Sequence, residues 1–167
     1  MISVVIPTLN EEKFIEKTIR ALLDQTLPKR EYEIIVSDSS STDATREIAK
    51  SLADRVVVCK CLSAGYGRNF GAKHAKGDML AFIDADTIAS PTYLEGVKES
   101  LSKCIASTGP IRALNEKSLV LRAFYRMWSL QSRISTMIRF PLFPGFNFAV
   151  RKHHFELVGG FSKRNIT

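Results

Sequence analysis

The chain contains 167 residues and carries a formal net charge of +7, with 24 Lys and Arg residues against 17 Asp and Glu residues. Hydrophobic residues make up 45% of the chain and charged residues 25%, which excludes a disordered, collagen-like or coiled-coil protein. Its apolar runs fall short of the ~18 residues that a membrane-spanning helix needs. The basic excess favours anionic partners such as nucleotides or phospholipid surfaces.

The start of the chain and its cysteines indicate the compartment. Met1–Pro7 does not resemble a signal peptide, because no basic segment precedes its apolar residues. We expect Cys59, Cys61 and Cys104 to be reduced and mostly packed, as in cytosolic proteins. We therefore expect a cytoplasmic protein.

The first hundred residues alternate short apolar runs with amphipathic helical patterns. Strands are predicted at Ile2–Ile6, Tyr32–Val36, Arg55–Leu62 and Met79–Ile83. Four helical patterns alternate with these strands. The first follows a cap at Thr8 or Asn10, and the second follows a cap at Thr42. The third belongs to the glycine-punctuated segment Gly65–Lys76, and the fourth begins at Ser90–Pro91. This alternation predicts an α/β fold with a doubly wound, mostly parallel sheet and helices on both faces. We expect residues 1–167 to form one domain that lacks its C-terminal part.

The last third of the chain has a different pattern. It predicts a strand at Ile105–Ile111, a long helix at Ser118–Arg139, an extended segment at Phe146–Val150 and a short helix at Lys152–Val158. The long helix is amphipathic and basic. It fits either peripheral contact with a membrane through residues 119–150 or packing on its own domain.

Two carboxylates follow the fourth predicted strand, at Asp84 and Asp86. Ligands of open α/β sheets bind at the carboxyl ends of the strands, where these acids lie. Adjacent carboxylates repel each other unless a cation intervenes, and Mg²⁺ or Mn²⁺ commonly shares oxygen ligands with substrate phosphates. The motif therefore predicts a divalent ion that bridges this turn to a diphosphate. The alternative is a simple loop cap, because so short a motif is common.

Three further features lie after strands or beside the glycines. Asp38 suits a ribose hydroxyl or a base NH, or alternatively an Asx turn or a helix cap. The backbone amides of Pro7–Glu11 suit a base or a phosphate, or alternatively a capped turn. Arg68 offers a forked donor to a phosphate, or alternatively pairs with a structural carboxylate.

Five motifs in this order resemble a family 2 glycosyltransferase with the GT-A fold, part of the nucleotide-diphospho-sugar transferase superfamily. They are Val4–Glu12, Asp38–Asp43, Arg68-Asn69-x-Gly71, Asp84–Asp86 and Gly159–Phe161. Each motif is weak by itself, whereas the five in order cover nearly the whole chain.

The resemblance implies a role for each matching position. The nucleotide pocket would be lined by Pro7, Thr8, Leu9, Glu11, Asp38, Arg68, Asp84 and Ala85. Asp84 and Asp86 would be the ligands of a Mg²⁺ or Mn²⁺ ion that bridges the diphosphate, and Asp86 would act in catalysis through that metal. The donor sugar and the acceptor would lie near Gly145, Phe146 and Asn147.

The implied substrates are a nucleotide-diphosphate sugar, with UDP or GDP as the nucleotide, and a glycan or lipid-phosphate acceptor. Relatives usually carry a Glu-Asp pair after Gly-Gly-Phe that supplies the general base, whereas this chain continues with Ser162–Thr167. Either the chain is a fragment, or the full protein is unusually short, or its acceptor needs no protein base, as would hold for a phosphate acceptor that is already anionic. The alternatives are a non-catalytic nucleotide-sugar-binding module and a nucleotidyltransferase. Nucleic-acid binding is not expected, since the aromatic and basic motifs for it are missing.

Overall fold

The computed structural model describes residues 1–60, 63–109 and 147–162. Six strands are present in this part of the chain: β1 (Ile2–Thr8), β2 (Tyr32–Asp38), β3 (Arg55–Val58), β4 (Met79–Phe82), β5 (Ala106–Thr108) and β6 (Phe148–Arg151). The helices described are α1 (Ile15–Leu23), α2 (Thr45–Leu52), α3 (Ala64–Lys73), α4 (Tyr93–Lys103) and α5 (Lys152–Leu157), with a 3₁₀ turn at Lys29–Glu31.

The strands form one mostly parallel sheet in the order β3-β2-β1-β4-β6-β5. Strand β1 pairs in parallel with both β2 and β4, and β2 pairs in parallel with β3. Strand β6 runs antiparallel to β4 and β5. The predicted doubly wound α/β fold is confirmed, with β1 at the point where the strand order reverses. Such a reversal opens a crevice beyond the carboxyl ends of the strands.

A separate apolar cluster covers each face of the sheet, as alternation along the strands requires. On one face, Val4 and Ile6 of β1 pack with Ile19 of α1 and Leu94 of α4. On the other face, Val5 of β1 packs with Ala72 of α3 and with Phe155 of α5. Every residue of β1 is buried, which explains why this strand reads as an almost continuous apolar run.

Several predicted boundaries were wrong. Helix α1 begins at Ile15 rather than directly after a cap on Thr8 or Asn10. The glycine-punctuated segment is the ten-residue helix α3 almost throughout, capped by the Ser63 hydroxyl, which accepts a hydrogen bond from the Tyr66 amide. Helix α4 starts two residues beyond Pro91, with Thr92 as its N-cap.

The predicted long helix at 118–139 and most of the proposed membrane segment 119–150 lie outside the described residues. Among the residues that are described, no helix is both long enough and apolar enough to cross a membrane.

The cysteine prediction was wrong in three respects. Cys59 is disulfide-bonded rather than reduced. Strand β3 ends at Val58, so Cys59 lies beyond the strand in which it was expected to pack. Cys104 is a free thiol but an exposed one, at the C-cap of α4, where its Sγ lies 2.9 Å from the Ser100 carbonyl oxygen.

Candidate functional site

The carboxyl ends of β1 and β2 lie side by side, next to the topological switch point between β1 and β4. Their register places Thr8 opposite Asp38, and β4 ends on the other side of β1. The last residues of these strands and the loops that follow them carry the predicted site residues from Pro7 to Asp86, except Arg68. Arg68 reaches the same edge from α3.

Asp38 is fully buried and holds the β2–α2 turn together. Its Oδ1 accepts a hydrogen bond from the Ser41 amide at 3.0 Å and lies 3.6 Å from Arg46 Nε. Its Oδ2 accepts hydrogen bonds from the hydroxyls of Thr8, at 3.2 Å, and Ser41. The carboxylate therefore makes the Asx-type turn that was one of its two predicted roles.

The loops after β1 and β2 are interlocked. Asn10 and Ser40 both have left-handed backbones, with φ of 57° and 67°. The Asn10 side chain accepts a hydrogen bond from the Thr42 amide at 2.9 Å, and the Asn10 amide donates to Ser41 Oγ at 2.9 Å. These bonds join two loops about 30 residues apart in the chain.

The amides that follow Asn10 are also engaged within the protein. The Glu11 amide donates to Thr45 Oγ1 at 2.8 Å, and the Glu12 amide donates to Asp43 Oδ2 at 3.2 Å. In this conformation the amides of residues 10–12 support the neighbouring loop. Of the other predicted pocket residues here, Pro7 and Thr8 are buried and only Leu9 is exposed.

Arg68 and Asp84 form an ion pair at the end of β4. Arg68 is 8% exposed, and its Nε is buried with no hydrogen-bond partner among the described residues. Asp84 is partly exposed. The structure thus pairs Arg68 with a carboxylate, as one of its two predicted roles required, and that carboxylate is itself a predicted site residue.

Glycines let α3 bring Arg68 to this position. A Cβ at Gly67 would lie 3.3 Å from Pro7 Cβ, and a Cβ at Gly71 would collide with Val5 Cγ1. The two glycines are one helical turn apart and so face β1 together. Close packing of α3 on β1 explains why glycines stand at these two positions.

The turn after β4 presents its acids to Glu11. Asp86 is exposed, whereas Ala85 between the two acids is buried. Partial burial raises the pKa of Glu11 above its ordinary value, and so do the negative charges of Asp86, Asp43 and Asp84, in decreasing order of effect. Carboxylates of the loops after β1, β2 and β4 therefore share one region of negative potential.

Thr18 is a supporting residue that sequence reasoning missed. Its hydroxyl is buried and donates a hydrogen bond to the Ala85 carbonyl oxygen at 2.6 Å. This bond anchors the Asp84–Asp86 turn to α1. The sequence feature that could have indicated this role is a hydroxyl residue on the otherwise apolar inner face of that helix.

The donor set fits a hard divalent ion only in part. Within residues 1–60, 63–109 and 147–162, no cluster of three His, Cys, Asp or Glu side chains is arranged to hold a metal ion by itself. Mg²⁺ is often bound through one or two carboxylates, with substrate phosphates completing its coordination. Asp84 and Asp86, in a region where negative charge is concentrated, fit that arrangement.

The segment Gly159–Phe161 is tied to the same helix as Arg68. Asn69 Nδ2 donates to the Phe161 carbonyl oxygen at 2.9 Å, and the Phe161 amide donates to Asn69 Oδ1 at 2.9 Å. The Arg68 guanidinium lies over the Phe161 ring, 5.5 Å from its centroid. Two of the five sequence motifs are thus in direct contact.

The predicted acceptor region is described only at its end. Gly145 and Phe146 lie outside the described residues. Asn147 has a left-handed backbone, with φ of 54°, and its carbonyl oxygen accepts a hydrogen bond from the Thr108 hydroxyl. Asn147 therefore sits at the start of β6, next to the edge strand β5.

A cleft of about 260 Å³ lies elsewhere, between α3 and α5. It is lined by Asn69, Phe70, Lys73, Phe155 and Gly160, among others. None of the predicted site residues lines this cleft, so volume alone does not locate the site.

The model of the family described as "Glycosyl transferase family 2" matches residues 3–158. The chain is 36% identical over 103 residues to a validoxylamine A glucosyltransferase of Streptomyces hygroscopicus subsp. limoneus; that match covers 58% of the chain and 23% of the relative. It is 29% identical over 181 residues to the probable glycosyltransferase YdaM of Bacillus subtilis, covering 98% of the chain and 43% of that protein.

One solved structure resembles nearly the whole chain. It is the mannosyltransferase PcManGT from Pyrobaculum calidifontis in complex with GDP-Man and Mn²⁺, at 26% identity and a TM-score of 0.75. The match covers 97% of this chain and 47% of PcManGT. The chain therefore spans less than half the length of each of these proteins.

Proposed function

Because the chain belongs to glycosyl transferase family 2, we propose that it transfers a sugar from a UDP or GDP sugar to a glycan or lipid-phosphate acceptor, with the aid of Mg²⁺ or Mn²⁺. The observation that carries this proposal is the convergence of Arg68, Asp84 and Asp86 at the switch point of the sheet. The GT-A fold, which this chain shares with its structural neighbours, provides the scaffold.

The proposal gives the two acids of the β4 turn different roles. Asp86 is exposed and would be one ligand of the metal. Asp84 would be the other, through the carboxylate oxygen that Arg68 does not hold. A metal bound there would stabilise negative charge on the departing diphosphate as a Lewis acid.

Other residues would shape the nucleotide pocket. Leu9 is 54% exposed beside the switch point and offers an apolar surface to the nucleoside. Thr8 and Asp38, both buried, would support that surface through their mutual hydrogen bond. The sequence predicts that Asp38 contacts a ribose or a base directly. For this to happen, one of the groups that now donate hydrogen bonds to its carboxylate would have to be displaced.

Binding calorimetry tests the site most directly. The intact chain is titrated with UDP, GDP, CDP and ADP, each with and without Mn²⁺. We expect one diphosphate to bind only when Mn²⁺ is present, and that result would identify the nucleotide of the donor. Equal affinity for all four diphosphates, or an affinity that is the same with and without Mn²⁺, would contradict the proposal.

The lipid-phosphate acceptor is supported by charge. Between Arg112 and Arg164 the only acids are Glu116 and Glu156, among many Lys and Arg residues. A basic segment of this kind favours a peripheral position on the inner, anionic face of a membrane, reached from the cytoplasm. Co-sedimentation with phosphatidylglycerol vesicles, compared with phosphatidylcholine vesicles, tests this position.

A sugar-transfer assay distinguishes an active enzyme from a non-catalytic binding module. The chain is incubated with the radiolabelled nucleotide sugar and either polyprenyl phosphate or a glycan, and label in the acceptor is counted. We expect label in one of these acceptors. Tight metal-dependent binding without transfer to either would favour the non-catalytic nucleotide-sugar-binding module.

A further inference from the structure

We propose that Asn69 is a positioning residue, which holds Phe161 beneath the Arg68 guanidinium and thereby orients Asp84 for the nucleotide and its metal. The inference rests on the proposed function for its role in binding. The contacts that support it belong to the protein alone and are tested without a ligand.

The first step is the fit between Asn69 and the segment 159–161. Asn69 satisfies both the amide and the carbonyl of Phe161, so its side chain pairs with this residue as a neighbouring strand would. Gly160 has a φ of 77°, and a Cβ there would lie 2.5 Å from Asn69 Oδ1. The glycine therefore permits the close approach on which both hydrogen bonds depend.

The second step is the rigidity of Phe161. Its ring packs edge-on against Phe82, with centroids 5.0 Å apart, and also contacts Phe148 and Phe155. Phe82 is fully buried in β4, the strand that leads to Asp84. The backbone of Phe161 is thus fixed by Asn69, and its ring is fixed by the aromatic cluster.

The third step is the position of Arg68. Its guanidinium has the Phe161 ring on one side and Asp84 as its ion-pair partner. Cation–π contact favours this placement, since the guanidinium is almost completely buried and loses much of its hydration. Removing the support under the ring would let the guanidinium turn, and Asp84 would lose its fixed orientation.

A double-mutant cycle tests the coupling. The dissociation constants of UDP and GDP with Mn²⁺ are measured for the parent, Asn69→Ala, Arg68→Ala and the double variant. We expect Asn69→Ala to weaken binding of the preferred diphosphate about tenfold in the parent, and less than about twofold in the Arg68→Ala background. Equal effects in both backgrounds would overturn the inference, because Asn69 would then act independently of Arg68.

Phe161→Leu provides a second variant that keeps apolar volume in the aromatic cluster but removes the ring face. It should weaken diphosphate binding as Asn69→Ala does. Lys73→Ala, one turn further along α3 at an exposed position, is the matched control and should bind like the parent. Loss of binding in the control, or parental binding in Phe161→Leu, would contradict the inference.

A measurement without ligand separates this inference from the proposed function. The Nε–H signal of Arg68, identified by its loss in Arg68→Lys, is followed in ¹H–¹⁵N spectra of the unliganded protein. Asn69→Ala and Phe161→Leu should both shift it, because the ring current of Phe161 is moved or removed. If the parent binds neither UDP nor GDP, the proposed function fails while this signal still decides whether Asn69 positions Arg68. An unchanged signal in both variants would overturn the inference.

Discussion

A methyl group on Gly71 would overlap the side chain of Val5, so helix α3 can lie on β1 only because residue 71 has no Cβ. The same added methyl group would lie 3.2 Å from Ser37 Cβ of β2. The helix is therefore in close contact with two strands at the level of the switch point. This approach is what allows Arg68, three residues earlier, to reach Asp84.

Gly71→Ala should destabilise the fold by about 1–3 kcal/mol, because overpacking forces the helix away from the sheet. Gly96→Ala is the matched control. Residue 96 lies in the middle of α4 at an exposed position, and no atom lies within 4 Å of the place that an added Cβ would take. The control should gain about 0.5–1 kcal/mol from its better helix propensity. Urea unfolding measures both, and a stabilised Gly71→Ala variant would contradict the close packing.

Much of the fold follows from the sequence, and the reason is visible in β1. Ile2–Thr8 is buried throughout and flanked by parallel strands, so its apolar run was a reliable signal. Helix α3 was less predictable, because its glycines disfavour a helix locally while tight packing on β1 requires them. The position of Asp84 just beyond β4 followed from the apolar run at Met79–Ile83 that precedes it.

The contacts that support the site could not be predicted from sequence patterns. Asn10 and Thr42 are 32 residues apart, and Asn69 and Phe161 are 92 apart. Each pair depends on how two loops meet in space, and no periodicity or spacing encodes that meeting. The disulfide at Cys59 was likewise invisible, because local pattern does not reveal whether two thiols come within bonding distance.

Tyr93→Phe should stabilise the protein by about 1 kcal/mol. The Tyr93 hydroxyl is buried and makes no hydrogen bond within the described residues, and burial raises the pKa of this phenol. An unsatisfied buried hydroxyl costs free energy that phenylalanine avoids. Tyr32→Phe is the matched control, since the Tyr32 hydroxyl donates to the Leu22 carbonyl oxygen at 2.8 Å. It should lose about 1 kcal/mol in urea unfolding, opposite in sign to Tyr93→Phe.

Asp38→Asn should destabilise the fold by about 1–3 kcal/mol. The side-chain NH₂ group of asparagine would face the hydroxyls of Thr8 and Ser41, which now donate to the carboxylate. The variant would also lose the charge attraction to Arg46. Asp24→Asn, at an exposed position after α1, is the control and should change stability by less than about 0.5 kcal/mol. If both variants unfold at the parental urea concentration, the buried network around Asp38 contributes nothing to stability.

Glu11→Gln should stabilise the protein at neutral pH and have little effect in acid. The pKa of Glu11 is raised in the folded state, so its stabilising contribution is fully present below the unfolded pKa and is lost as pH rises through the folded pKa. Glutamine carries no charge and avoids that loss. The gain in melting temperature over the parent should therefore be largest near neutral pH and shrink as the pH falls towards the ordinary Glu range.

Glu47→Gln, on an exposed position of α2, is the control for this pH profile. It removes the same charge away from Asp84 and Asp86, so it should not reproduce the gain. A Glu11→Gln variant that is less stable than the parent at neutral pH would show that the shared negative potential is absent.

Asp86→Ala should weaken Mn²⁺-dependent binding of the preferred diphosphate while the protein stays folded. Asp86 is exposed on the turn after β4, so its removal leaves no buried group unpaired, and it lowers the negative charge that raises the pKa of Glu11. We expect an unchanged or slightly higher melting temperature and at least about a tenfold weaker affinity, because the proposed metal site would lose one of its two protein ligands. Asp24→Ala removes an exposed carboxylate from the end of α1 and should bind like the parent. If Asp86→Ala binds the diphosphate and Mn²⁺ as tightly as Asp24→Ala does, the metal lies elsewhere and Asp86 is a loop residue only.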